Sequence, residues 1–492
     1  MTVAILWFRR DLRLTDNPAL QAALEHANEL IPVYIHTPGE EAPWSPGAAS
    51  NWWLHESLTA LDSSLRQRGS NLIIARGKSQ TVLKKLAITH ASKEIFFNSL
   101  PEPIAIQRDN RVSKHLSKSG INCNIFNNSQ LTDGPPIRRL DGGCYRLFTP
   151  FWRAVLKQGL STRAPSPAPK KIPPPPKLIK SISLQSLGLL PEVQWYEHFK
   201  DYWEPGEQGA LKQIQHFLDK SINSYAEGRD RPDLEETSRL SPHLHFGEIG
   251  PLQIINGIES RFETDPTSHA DSSPGQYIRQ LVWREFAQNL LIHFPDTDLH
   301  PFDPRFQNYP WRKGKRAEKL LQYWQQGKTG IPIVDAGMRE LWQTGWMHNR
   351  VRMIVASFLT KNLGIHWLQG ARWFWDTLVD ADCANNSFGW QWCAGSGTDA
   401  APYFRIFNPV RQSQRFDPQG EYIRRWLPEL SLLPNKYLNA PWEADMSVLL
   451  NAEIRLGKTY PKPIVDLQLS RKEALQRWET IKNLSSKRYA RK

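Results

Sequence analysis

At 492 residues the chain is too long for one hydrophobic core, so two domains joined by a linker are expected. Lysine and arginine outnumber aspartate and glutamate by 62 to 49, and the net charge of +13 favours a polyanionic partner such as nucleic acid. The four cysteines share no C-x-x-C spacing, and no apolar stretch reaches the ~18 residues of a membrane span; a reduced, cytoplasmic setting without a membrane anchor follows.

In chain order, short β-branched and aromatic runs occur at Val3 to Phe8, Leu30 to Ile35, Asn71 to Ala75, Glu94 to Asn98 and Ile121 to Phe126. Amphipathic helical patterns lie between them, at Asn17 to His26, Ser50 to Arg68, Ser79 to His90 and Ile104 to Lys118. This alternation predicts an α/β N-terminal domain over 1–130, a doubly wound parallel sheet with helices on both faces. The turn after the first strand, Arg9-Arg10-Asp11-Leu12-Arg13, lacks the glycine fingerprint of dinucleotide binding, so ordinary NAD binding is not expected.

Residues 131–204 read as the interdomain linker, because from Ser161 to about Leu190 proline, lysine and serine take over and Pro173 to Pro176 favour extended polyproline. Beyond it, 205–480 read as an all-α C-terminal domain, with 3.6-residue periodicity at Gln208 to Glu227, Gly275 to Phe294, Ala317 to Gln326, Val334 to Asn362 and Ala371 to Asp380. Fifteen of the 20 tryptophans fall at or after Trp195. Any one of them serves first to fill a core, but so many in one helical domain suit a flat aromatic ligand or stacked bases.

Four segments of that domain carry chemistry: TSRLSPHLHFGE at Thr237 to Glu248, VWREF at Val282 to Phe286, TGWMHNRVRMIVASFLTK at Thr344 to Lys361, and the segment from Asp380 to Pro409 that begins DADCANNSFGWQWC. Taken alone, the hydroxyls of Thr237, Ser238 and Ser241 suit a helix N-cap, and Asp380 with Asp382 an acidic helix end. His243 and His245, two apart with no third ligand nearby, read as packing or hydrogen-bonding residues. Together, in this order and with the opening LWFRRDLRLTDNPAL, the segments resemble the DNA photolyase/cryptochrome family. Within it the chain looks most like the class I enzymes that repair cyclobutane pyrimidine dimers.

The resemblance implies a monomeric lyase, a deoxyribodipyrimidine photo-lyase with FAD in the helical domain and UV-damaged DNA as its partner. It assigns FAD binding to Tyr225, Thr237, Ser238, Arg239, Leu240, Ser241, Tyr277, Arg352, Asp380, Asp382 and Asn386. In that picture Arg352 pairs with Asp380 beside the flavin, and the Asn386 amide lies near flavin N5. A flipped lesion meets Gln280, Trp283, Asn349, Met353 and Trp392, with Asn386 among the catalytic residues. Arg229, Arg284, Arg350, Arg405 and Gln412 contact DNA, with Gln280, Trp283, Asn349 and Trp392 beside them. Trp390, Trp367 and Trp311 match the chain that carries an electron to photoexcited flavin.

Two departures qualify this picture. Class I enzymes usually carry glutamate three residues before the WREF tryptophan, where this chain has Gln280. Some relatives acting on six-four photoproducts have glutamine there, but they also carry two histidines where this chain has Asn349 and Met353. In the N-terminal domain Ile104 and Ala105 replace the asparagine and glutamate of folate-binding members, which argues against a folate antenna and leaves a second chromophore of another kind, or none. The alternatives carried forward are a six-four photolyase and a cryptochrome photoreceptor.

Overall fold

The computed structural model describes residues 2–127, 130–262, 271–399 and 405–482. Five strands, β1 (Val3–Phe8), β2 (Glu29–His36), β3 (Ile73–Arg76), β4 (Glu94–Asn98) and β5 (Asn122–Phe126), form one parallel sheet in the order β3-β2-β1-β4-β5. The intervening helices are α1 (Pro18–His26), α2 (Ala48–Arg66), α3 (Ser79–Thr89) and α4 (Pro103–Ser117). The chain winds outward from β1 to β3, then returns to β4 and β5, so right-handed crossovers put α1 and α2 on one face and α3 and α4 on the other. Strand side chains alternate accordingly. Ile5, Trp7, Ile31, Val33, Ile35, Ile95 and Phe97 share a core with Leu83 and Ala87 of α3 and Val112 and Leu116 of α4. The alternate residues Leu6, Phe8, Leu30 and Phe96 are buried too. Burial on both faces is why these strands read as continuous apolar runs.

The proline-rich stretch is extended but tethered. Ile172 and Ile182 donate their backbone N–H groups to Arg68 O (2.9 Å) and Ile74 O (3.0 Å), which ties the segment to the end of α2 and to the edge strand β3. The span expected to be linker also holds a helix, α5 (Phe148–Gln158), with Phe148, Phe151, Trp152 and Val155 buried on one side. After it come α6 (Phe199–Tyr202), α7 (Glu207–Lys220), α8 (Tyr225–Gly228), α9 (Ser241–His245), α10 (Pro251–Phe262) and α11 (Ser273–His293). Ser272 caps α11 by accepting from Gly275 N at 3.1 Å.

Two compact units result, the first made of Met1–Ala226, Ser238–Pro295 and Val379–Cys383, the second of Glu227–Thr237, Asp296–Leu378 and Ala384–Lys492. The helices up to α11, except the second half of α8, thus cluster with the sheet. Within the second unit lie α12 (Lys315–Gln325), α13 (Pro332–Thr344), α14 (Asn349–Ser357), α15 (Trp367–Thr377), most of α16 (Cys383–Ala394) and α17 (Pro409–Phe416), followed by α18 (Glu421–Trp426), α19 (Asn435–Leu438), α20 (Met446–Asn451) and α21 (Leu467–Lys482). The single helix expected from Val334 to Asn362 is three pieces: α13 ends at Gly345, whose φ of +68° suits glycine, α14 restarts after His348, and Phe358–Asn362 is a π-helical turn. Among the described residues no helix is long and apolar enough to cross a membrane.

Candidate functional site

In the first unit, the segment before α9 turns sharply at Arg239, whose φ of +51° is uncommon for a residue with a side chain. The turn lays the Arg239 guanidinium 4.5 Å over the ring of Trp203, buries Leu240 and leaves Ser241 at the head of α9. Tyr225, which opens α8, and Tyr277 on α11 meet edge-on at 5.1 Å and 82°. The Tyr277 hydroxyl also hydrogen-bonds the Ser238 side chain, although burial still pushes its pKa up. Gln213 Nε2 donates to Ser238 O at 3.0 Å, so two of the residues singled out from the sequence, Tyr225 and Ser238, gather with the tyrosine at position 277 around one backbone turn.

The same unit holds Asp380, only 8% exposed, and Asp382, whose Oδ2 lies 3.7 Å from His245 Nδ1. Burial lowers the Arg284 pKa, while Asp382, Glu285 and Glu102 pull it back up. His243 Nδ1 lies 2.5 Å from Glu248 Oε2, and the other oxygen of that carboxylate accepts from Trp53 Nε1 at 3.0 Å and Gly206 N at 2.8 Å. His243 is therefore a buried hydrogen-bonding residue, as its spacing suggested. On α11, Gln280 Nε2 donates to Gln276 O at 3.0 Å. One turn on, Trp283 stacks on Phe148 of α5 with ring centroids 3.6 Å apart and planes 6° from parallel, and Phe286 meets its edge at 5.7 Å.

The second unit carries a cavity of about 460 Å³ lined by Asp230, Arg350, Met353, Trp392, Arg405, Ile406, Phe407, Asn408, Arg411, Gln412, Arg415 and Phe416. Four residues expected to contact DNA, Arg350, Trp392, Arg405 and Gln412, meet there with Met353, expected at the lesion. Asn349, exposed at the start of α14, and Arg229 are not part of this lining. Arg352 turns its Nε to Met347 O at 2.7 Å and its guanidinium lies 5.8 Å from the Trp346 ring centre. Asn386 Nδ2 donates to Ala371 O at 3.0 Å, joining α16 to α15.

Trp390 and Trp367 are buried at 2% and 0% exposure. Trp390 packs against Phe374 at 5.0 Å and Trp324 at 6.1 Å. Trp367 stacks with His366 at 5.7 Å, His366 meets Trp311 at 5.0 Å, and Trp311 meets Tyr309 at 4.4 Å. The indole N–H groups of Trp390 and Trp311 are buried without a hydrogen-bond partner among the described residues.

Sequence reasoning missed the acid in the arginine-lined cavity, Asp230, the aromatic support of Trp283, Phe148, and the ring between Trp311 and Trp367, His366. Each contact joins residues that are either distant in the chain or members of no short motif. Only His366, next to Trp367, carried a local signal.

Residues 4–173 match the family model described as DNA photolyase, and residues 277–480 match the FAD binding domain of DNA photolyase. The chain is 44% identical over 480 residues to a deoxyribodipyrimidine photo-lyase of Agrobacterium fabrum, covering 97% of this chain and 98% of that one. It is 37% identical to cryptochrome-2 of Arabidopsis thaliana, covering 95% of this chain and 77% of the relative. Among solved structures it superposes with TM-score 0.92 on a class III photolyase from Agrobacterium tumefaciens, at 43% identity and 98% coverage of both chains. The chain belongs to the DNA photolyase family and carries its FAD-binding domain. Where the sequence pointed nearest to class I enzymes, this structural relative is a class III photolyase.

Proposed function

We propose that this chain is a light-driven repair enzyme that splits cyclobutane pyrimidine dimers in DNA, with FAD as its cofactor. The observation that carries the reading is the cavity of about 460 Å³ in which an aromatic wall, Trp392, and a polarisable one, Met353, sit inside a rim of arginines. A flipped dimer of neighbouring bases needs flat apolar walls for its rings and cations for its flanking phosphates, and this lining supplies both. In the first unit Trp283, held by its stack on Phe148, is the indole of α11 that we assign to the lesion.

The donor set fits FAD. Hydroxyls of Thr237, Ser238 and Ser241 and the guanidinium of Arg239 suit a diphosphate, since all donate to anionic oxygens. Tyr225 and Tyr277 form an aromatic wall beside them. Asp380, Asp382, Arg352 and Asn386 are the polar groups we assign to the ring system, Asn386 contributing a dipole without added charge. When bound, FAD supplies a photoexcitable electron donor that regains its electron at the end of the reaction, so no external reductant is consumed. The protein binds, orients and dries the site. Trp390, Trp367 and Trp311 are the residues we assign to electron delivery from the surface; the burial of Trp390 and Trp367 and the ring contacts from Trp367 through His366 to the partly buried Trp311 suit that role.

The test is illumination of the FAD-containing protein with dimer-containing DNA against a dark control, scored for restored thymines. Gln280 then discriminates the lesion class. Gln280→Glu keeps or raises dimer repair, whereas Gln280→Leu leaves polar atoms of the lesion unpaired and weakens binding by about 1–3 kcal/mol. Light-dependent activity confined to six-four lesions would replace the dimer reading with the six-four one, and no repair of either lesion would leave the photoreceptor reading.

A further inference from the structure

The cavity lining contains four arginines, Arg350, Arg405, Arg411 and Arg415, and one carboxylate, Asp230. A surface selected only to attract a polyanion gains nothing from an acid at its wall, because a carboxylate repels the phosphates that the arginines draw in. Asp230 is also not spare charge. Its Oδ2 lies 2.8 Å from Arg350 Nη2, within reach of a charge-assisted hydrogen bond. The same guanidinium lies over Phe416, 4.2 Å from the ring centre, and Arg415 approaches that ring at 5.1 Å. Arg350 is thus held by an aromatic ring and by an acid. The pair is not sealed off, since the Arg350 and Asp230 side chains keep 17% and 37% of their exposure.

We propose that Asp230 sets the discrimination between damaged and undamaged DNA by occupying Arg350 as an internal stand-in for a phosphate. The proposal rests on the lesion-pocket reading above. A phosphate of intact duplex that engages Arg350 either takes Nη2 from Asp230 or binds another edge of the guanidinium, and in both cases it lies beside a carboxylate. Either way the gain is small, so Arg350 adds little to non-specific binding. A lesion that enters the cavity gains contacts with Met353 and Trp392 that intact DNA does not make, and it gains them with the Asp230–Arg350 pair left in place. Asp230 therefore weakens binding to every DNA that cannot fill the cavity.

The isosteric change Asp230→Asn tests this, because it removes the charge and keeps the shape. Affinities of FAD-containing full-length protein for undamaged and dimer-containing duplexes are measured in the dark across a salt series, for the parent, D230N, R350Q and the double variant. Flavin content and thermal midpoint are checked for each. In D230N the undamaged duplex binds about 5-fold more tightly, and its log-log salt slope steepens by about 0.9, the signature of one more neutralised phosphate. The dimer-containing duplex tightens less, so the discrimination ratio falls about threefold. In the R350Q background the same change does nothing. If Asp230 merely holds Arg350 in shape, D230N weakens both duplexes and flattens the slope, which overturns the proposal, as does an unchanged discrimination ratio. A parent protein with no preference for dimer-containing DNA overturns instead the pocket reading on which the proposal stands.

Discussion

Two helices of the second unit begin on a histidine. His348 Nδ1 accepts from Arg350 N at 3.2 Å at the start of α14, and His366 Nδ1 accepts from Leu368 N at 3.1 Å at the start of α15. A ring nitrogen accepts only while unprotonated, so both caps require neutral imidazole. Burial supplies it, pushing His348 and His366 down to about 4, against the pull of Asp230 on His348. The unfolded chain titrates near 6.5, so between pH 6.5 and 4 it binds more protons than the folded chain. Stability is therefore fully present above pH 6.5 and is lost as pH falls toward 4. For His348, only 3% exposed, the loss is on the order of 3 kcal/mol. His348→Asn replaces the cap with an oxygen that does not titrate. Its urea midpoint should drop less between pH 7 and pH 4.5 than the parent's, and an equal drop in both proteins would remove His348 from the acid response.

At the scale of elements, α15 and α16 touch where α15 has no side chain. A Cβ on Gly370 would lie 2.1 Å from Cη2 of Trp390 and 2.6 Å from Cδ2 of Leu359. Gly370 is helical, so its lack of a side chain serves close approach, not an unusual backbone angle. Alanine at this position gains up to about 1 kcal/mol of helix propensity but must displace the indole, and overpacking of this kind costs about 1–3 kcal/mol. Gly370→Ala should slow photoreduction of bound FAD with helix content unchanged by circular dichroism, and a parental rate would show that Trp390 tolerates the shift. Elements like these were only partly legible in the sequence. All five strands were: β1, β2 and β4 because burial on both faces leaves continuous apolar runs, and the edge strands β3 and β5 as short runs between helical patterns. The break between α13 and α14 was not, because periodicity runs on across Gly345 and a histidine cap is no standard start signal. Nor was α5: the composition shift to proline drew the eye past its amphipathic FTPFWRAVLKQ, and with it past Phe148 under Trp283. Motifs singled out Trp392, Met353 and Arg350, which meet in one cavity, but residue types alone could not place Asp230 among four arginines.

For the whole molecule, the +13 charge admits two accounts of DNA binding. If net charge alone acts, any lysine or arginine contributes alike through the long-range field. If the arginine rim of the cavity acts, affinity is concentrated in Arg350, Arg405, Arg411 and Arg415, and charges elsewhere matter little beyond a screening length of about 8–10 Å. Salt separates the accounts, because each phosphate neutralised at the interface contributes about −0.9 to the slope of log affinity against log salt. With Arg350 held by Asp230, the other three arginines set a contribution of about −2.7 on intact duplex. Arg411→Ala should flatten the slope by about 0.9 and weaken damaged and undamaged duplexes by similar factors, since a phosphate contact carries no information about the base. Lys85→Ala, on the exposed side of α3 in the first unit, removes the same charge and should leave the slope unchanged. Filter-binding titrations of both variants from 50 to 200 mM salt measure the difference, a range over which each lost phosphate contact changes affinity about 3-fold. Equal slopes for Arg411→Ala and Lys85→Ala would assign binding to the diffuse field and take the arginine rim out of DNA recognition.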